Sequence, residues 1–146
     1  MKITLADRSA ITGPEGHTIR EVVGLTTMNL AKYSVAHIVA PAGAPGTPRQ
    51  NQFDEIVIGI RGSGLVRREY VTDQVGPQDL VLLTSGTQYT IEASGTEDFE
   101  FWAICVPAFR PEWSNVGTTK RDWRDYQTPR GIDRLRFGSQ DEDDRR

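Results

Sequence analysis

At 146 residues the chain is long enough for one hydrophobic core and too short for two of ordinary size. Its 17 Lys and Arg stand against 20 Asp and Glu, a net charge of -3, so no excess of positive charge favours nucleic acid or an anionic membrane as partner. A single cysteine, Cys105, excludes an internal disulfide and any cysteine-cluster metal site, and two histidines, His17 and His37, are too few for a three-histidine one.

Taken in order, the opening MKITLADRSAITGPEG has no apolar leader core, and no window approaches the roughly 18 apolar residues of a membrane span, so a cytoplasmic location is expected. Residues 1 to 30 read as short edge strands and turns: Met1 to Leu5 alternates loosely, Gly13-Pro14 and Glu15-Gly16 interrupt it, and Thr18 to Leu25 is rich in β-branched residues. Lys32 to Ala40 is the first clear strand, with Tyr33, Val35, His37 and Val39 on one face and Ser34, Ala36, Ile38 and Ala40 on the other. Pro41 to Pro48 cannot continue a ladder and forms a loop. Asp54 to Ile60 is the strongest strand signal, and Arg61 to Gly64 reads as a tight hairpin turn that returns Leu65 to Thr72 as its partner. A turn over Asp73 to Asp79, a buried strand over Leu80 to Leu83, a turn over Thr84 to Thr87, and strands over Gln88 to Glu92 and Phe99 to Val106 complete the pattern. Short strands separated by turn residues predict an all-β sandwich or jelly roll. Beyond Pro107 the alternation stops; Thr118 or Thr119 is positioned to cap a short helix through Tyr126, which Pro129 would end. The last nine residues, Gly138 to Arg146, have no apolar side chain and are expected to be a disordered tail on a single domain over 1–137.

The stretch GAPGTPRQNQFDEIVIGIRG, Gly43 to Gly62, carries a specific spacing: a Gly, five residues, Arg49-Gln50-Asn51, three residues, Glu55, six residues, a Gly. That spacing resembles the first motif of the cupin superfamily, in which a His-x-His pair and a Glu stand at these intervals. Gln78 to Ala93, QDLVLLTSGTQYTIEA, is similar to the second motif, with Gly86 kept and Tyr89 where the third His would be. CVPAFRPEW, Cys105 to Trp113, looks like the exit from the last strand of such a barrel. The resemblance implies an all-β cupin-type double-stranded β-helix, a jelly-roll barrel with its core over about residues 30–110, a short C-terminal extension and a homodimeric assembly. It also implies that Arg49, Asn51, Glu55 and Tyr89 converge inside the barrel, where the family's metal ligands would stand.

This residue set is unsuited to a transition metal. A guanidinium has no lone pair to offer, an amide is a poor ligand and a phenol an uncommon one. No metal and no cofactor is expected; His37 with Glu55 is the only remnant that could still hold one. Arg49 then has two uses: an ion pair with Glu55 that plugs the pocket, or a two-pronged donor to an anionic group on a small ligand, with Asn51 and Gln88 adding hydrogen bonds. Glu55 and Tyr89 are the candidate acid and base, in line with metal-free cupins that run proton chemistry on sugar nucleotides with side chains that include a Tyr. His37 joins them as a general base only if its strand register turns it inward. The expected function is acid-base chemistry of the isomerase, lyase, dehydratase or cyclase type on a small polar or anionic molecule; the alternative is a binding protein without catalysis.

Overall fold

The structure, a computed structural model, describes residues 1–116. The predicted helix over 118–126 and the predicted tail over 138–146 lie outside them. Eleven strands are described: β1 (Ile11–Thr12), β2 (Thr18–Val23), β3 (Ser34–Ala40), β4 (Arg49–Asn51), β5 (Asp54–Arg61), β6 (Gly64–Arg68), β7 (Thr72–Val75), β8 (Leu80–Leu83), β9 (Gln88–Ala93), β10 (Phe99–Val106) and β11 (Ser114–Val116). They form two antiparallel sheets, ordered β1-β2-β3-β10-β5-β8 and β11-β4-β9-β6-β7.

Period-two burial is what makes the two sheets face each other. Phe99, Phe101, Ala103 and Cys105 of β10 are buried, as are Glu55, Val57 and Gly59 of β5. From the second sheet Val66, Tyr89, Ile91 and Val75 meet them, so the core lies between the sheets and is continuous with the wall of the site. Burying each Val, Ile or Phe among them is worth roughly 1.5–3 kcal/mol.

Several expectations are corrected. Arg61 to Gly64 is not a hairpin: β5 pairs with β10 and β8, whereas β6 pairs with β7 and β9 in the opposite sheet, so Gly62 and Ser63 form a corner between sheets. Close packing explains the glycines. A Cβ on Gly64 would sit 2.3 Å from the Phe99 ring, and one on Gly62, at φ 73°, would sit 2.2 Å from the Asp98 carbonyl oxygen. The true hairpin joins β6 to β7 through Arg68 to Val71, and β7 occupies residues expected to be a turn. Met1 to Leu5 is not a strand; a 3₁₀ turn covers Leu5–Asp7. β8 is buried on one face only, with Leu80 and Leu82 exposed by 60% and 52%. After Pro107 the chain makes a second 3₁₀ turn, Pro111–Trp113, and then adds β11 to the edge of β4.

Candidate active site

Three ladder registers bring the site residues together. Arg49 lies opposite Tyr89 in the β4–β9 pair and Asn51 opposite Ser114 in β4–β11, while Glu55 lies opposite Cys105 in β5–β10. Glu55 therefore rises from one sheet and Tyr89 from the other, and they meet across the core.

A directed hydrogen-bond chain results. Ser114 Oγ donates to Asn51 Oδ1 at 2.6 Å, which leaves the Asn51 amide nitrogen to donate to the Tyr89 hydroxyl at 2.8 Å. The phenol proton then points to Glu55 Oε2, 2.5 Å away. Cys105 Sγ lies 3.9 Å from the other Glu55 oxygen. With Glu55 ionised the donor inventory gives one consistent order: the serine proton orients the amide, the amide orients the phenol and the phenol serves the carboxylate. Glu55, Tyr89 and Asn51 are all buried.

Burial pushes the Glu55 carboxyl above its ordinary range, against the opposing pull of Arg49 and of the Tyr89 hydroxyl. Burial and the neighbouring Glu55 also push the Tyr89 phenol well up. The same two causes raise the Cys105 thiol, which is thereby a buried, protonated sulfur and not a nucleophile. The raised phenol keeps its proton and remains a donor, and the raised Glu55 carboxyl, once ionised, is a stronger base than an exposed one.

Arg49 does not pair with Glu55. Its Nη2 donates to Oε1 of Glu15, which reaches in from the turn between β1 and β2. Burial pulls the guanidinium down, but Glu15, Tyr89 and Glu55 together outweigh it and hold Arg49 above its ordinary value. His17, from the same turn, is buried with Nδ1 3.4 Å from that Glu15 oxygen and its ring edge-on to Phe101 at 6.3 Å. Burial lowers its pKa despite Glu15, so the imidazole is held toward its neutral form. Neither Glu15 nor His17 was singled out from the sequence; a charged residue between Gly13-Pro14 and Gly16 has the local signature of an ordinary turn.

Two other expectations are corrected by the period of two. Ile38 faces the cavity, so His37 points from the opposite face of β3; its Nε2 bonds Glu100 Oε1 at 2.7 Å and its ring meets Trp102 edge-on at 5.3 Å. Gln88 precedes the inward Tyr89 and is exposed on the far face of β9. His37 and Gln88 are not pocket residues, and Asn51, expected to bind the ligand, stands behind Tyr89 with its amide engaged and does not line the cavity.

The polar wall of the cavity is Glu15, His17, Thr47, Arg49, Glu55 and Tyr89, and Ile38, Ile91 and Phe101 form its apolar side. The side chains leave about 10 Å³ between them, room for about one water. Among the described residues no three His, Cys, Asp or Glu side chains gather around a common point. The described helices include none long and apolar enough to cross a membrane.

No family model matches the chain. It is 29% identical over 118 residues to a Myxococcus xanthus protein named endoribonuclease YbeY, a match that covers 81% of this chain and only 40% of that protein's length. Among solved structures, the polyketide cyclase RemF of Streptomyces resistomycificus superposes with a TM-score of 0.68 at 14% identity, covering 88% of this chain and 94% of that one. The Streptomyces nucleoside dehydratase Pac13, solved with uridine, gives a TM-score of 0.66 at 14% identity, over 80% of this chain and 88% of that one. A Klebsiella pneumoniae protein with a double-stranded β-helix domain gives 0.63 at 12%, over 81% and 97%. These likenesses are of fold: the chain is an all-β double-stranded β-helix.

Proposed function

We propose that the barrel binds a small polar or anionic organic molecule and performs metal-independent acid-base chemistry on it, of the isomerase, lyase, dehydratase or cyclase type. The observation that carries this reading is the 2.5 Å hydrogen bond from the Tyr89 hydroxyl to Glu55 in a buried site, ordered from behind by Asn51 and Ser114. Glu55 takes a proton from carbon and Tyr89 gives one to oxygen, as the departure of water or the closure of a carbonyl requires. The dyad then holds a carboxylic acid beside a phenolate. Return of the proton along the same bond restores the resting state, so the cycle closes without a redox partner. Arg49 stabilises the phenolate while it exists and orients the ligand.

Supporting precedent comes from RemF and Pac13, proteins of this fold named as a cyclase and a nucleoside dehydratase. The donor set supports the metal-free part, since Arg49, Asn51 and Tyr89 stand at the positions of three metal-binding histidines. An RNA substrate, suggested by the Myxococcus name, is disfavoured by the net charge of -3, and that name belongs to a protein of which this chain spans two fifths. A cytoplasmic homodimer is part of the proposal. The second reading, a binding protein without catalysis, is favoured by one observation: the cavity is nearly filled by its own side chains.

Nucleosides and polyketide-like carbonyl compounds, screened in D2O for deuterium incorporation or loss of water, test the catalytic reading. Glu55→Gln and Tyr89→Phe should each lower turnover by about 10² to 10⁴-fold with much smaller changes in affinity. Retained turnover in both variants would remove Glu55 and Tyr89 from the chemistry, and binding of a screened compound without reaction by the wild type would leave only the binding protein.

A further inference from the structure

Arg49 presents one edge, Nε–H and Nη2–H, whose two parallel donors match the two oxygens of a carboxylate or phosphate. Glu15 uses half of it. Its Oε1 accepts from Nη2, whereas Nε, on the same edge, is buried with no hydrogen-bond partner. That Oε1 also lies 3.4 Å from His17 Nδ1, so the carboxylate is drawn toward the imidazole and away from a two-pronged grip. The remaining donors of the network are engaged, the Asn51 amide to Tyr89 and the Tyr89 hydroxyl to Glu55. The free half of the Arg49 edge is the unmet polar demand of the cavity wall.

The element that carries Glu15 is weakly held. β1 is two residues long and pairs with β2 alone at the end of its sheet. The Gly13 to His17 turn is closed by two backbone bonds, Gly13 N to the His17 carbonyl at 2.8 Å and Gly16 N to the Gly13 carbonyl at 3.0 Å. Segments with so few bonds open locally at small cost. With Glu15 and His17 in place the cavity holds about 10 Å³, against the roughly 300 Å³ or more of a small-molecule site.

We infer that Glu15 stands in for the ligand: the subsite at Arg49 takes a two-oxygen anion, a carboxylate or a phosphate monoester, which displaces the Glu15 carboxylate and opens the Gly13 to His17 turn. Exchange of one anion for another keeps the buried guanidinium compensated at both ends of the motion, whereas a neutral molecule would leave it bare. The incoming group also reaches Nε. The site is thereby selective for anions by its own counter-ion. This inference rests on the cavity being a ligand site, and it holds whether or not the ligand reacts.

The test uses inorganic phosphate, acetate and neutral uridine as probes, followed by calorimetry and by amide hydrogen exchange. Glu15→Gln removes the competitor, so phosphate or acetate should bind about 10-fold or more tightly than to the wild type, the gain expected when the competing carboxylate fills the subsite most of the time. The gain should vanish in Glu15→Gln/Arg49→Gln, and uridine should gain nothing. Preference between the two anions separates a phosphate from a carboxylate ligand. In the wild type, saturating anion should speed exchange of the Gly13 and Gly16 amides, a readout available even if Glu15→Gln and Glu15→Ala both fail to fold. Glu15→Gln that binds neither anion more tightly, or wild-type exchange at Gly13 and Gly16 unmoved by either anion, would make Glu15 a fixed structural counter-ion and overturn the inference. None of these readouts uses turnover, so their failure leaves the Glu55 and Tyr89 chemistry to its own test.

Discussion

Glu55 is where function and stability oppose each other. Its folded carboxyl is raised above the ordinary 4.5, so between that value and the folded one the native state keeps a proton that the unfolded chain releases. The native state binds more protons there, and stability falls as pH rises through that window. Glu55→Gln should remove this loss: its melting temperature should exceed that of the wild type at pH 8 by more than at pH 4, measured by calorimetry across that range. A wild-type advantage that grows with pH would refute the burial argument. At the same scale, Ser114→Ala should leave the Asn51 amide free to turn over, lowering turnover while Ser114→Thr restores it. Arg49, Asn51, Glu55 and Tyr89 were legible because motif spacing in a strand fixes which residues share a face. Gln88 could not share a wall with Tyr89, its immediate neighbour, and His37 was undecidable until the inward turn of Ile38 set the register of β3. Glu15 was illegible for another reason, since it meets Arg49 from 34 residues away and no local pattern encodes that.

At the scale of elements, the longer strands could be read from alternation and the three-residue ones could not. β4 and β11 have three residues each, too few for a period to show, yet they carry Arg49, Asn51 and Ser114. The corner at Gly62 and Ser63 was misread because glycine marks a tight turn without saying whether the chain returns in the same sheet. Its packing makes a prediction. Gly64→Ala should destabilise the fold by about 1–3 kcal/mol, the usual effect of forcing a methyl group into a filled core, with Phe99 displaced. A urea midpoint within error of the wild type would mean that Phe99 yields without strain. The first 30 residues read as edge structure, and β1 with β2 fits that, but the consequence for Arg49 lay in the turn between them.

For the whole molecule, the outward face of the larger sheet sets the question of assembly. Ile56 and Ile58 of β5 stand in register with Ile104 and Trp102 of β10 on one side and with Leu82 and Leu80 of β8 on the other. An apolar surface of this kind, with Leu80 and Leu82 exposed, is suited to an interface. Light scattering should report a dimer that Leu82→Glu converts to monomer without loss of the β-sheet signal. A wild-type monomer at micromolar concentration would assign the cover of this face to another part of the chain.

The Tyr89 to Glu55 bond has a mechanical side as well. One end is fixed to each sheet, so it is a rivet between the two halves of the sandwich. A catalytic cycle that sends the phenol proton to a ligand would pull that rivet and drive it home again once per turnover. The gape of the barrel and the whereabouts of a single proton would then be one coordinate, and anything that wedges the sheets apart should slow the return of the proton before it weakens the grip on the ligand.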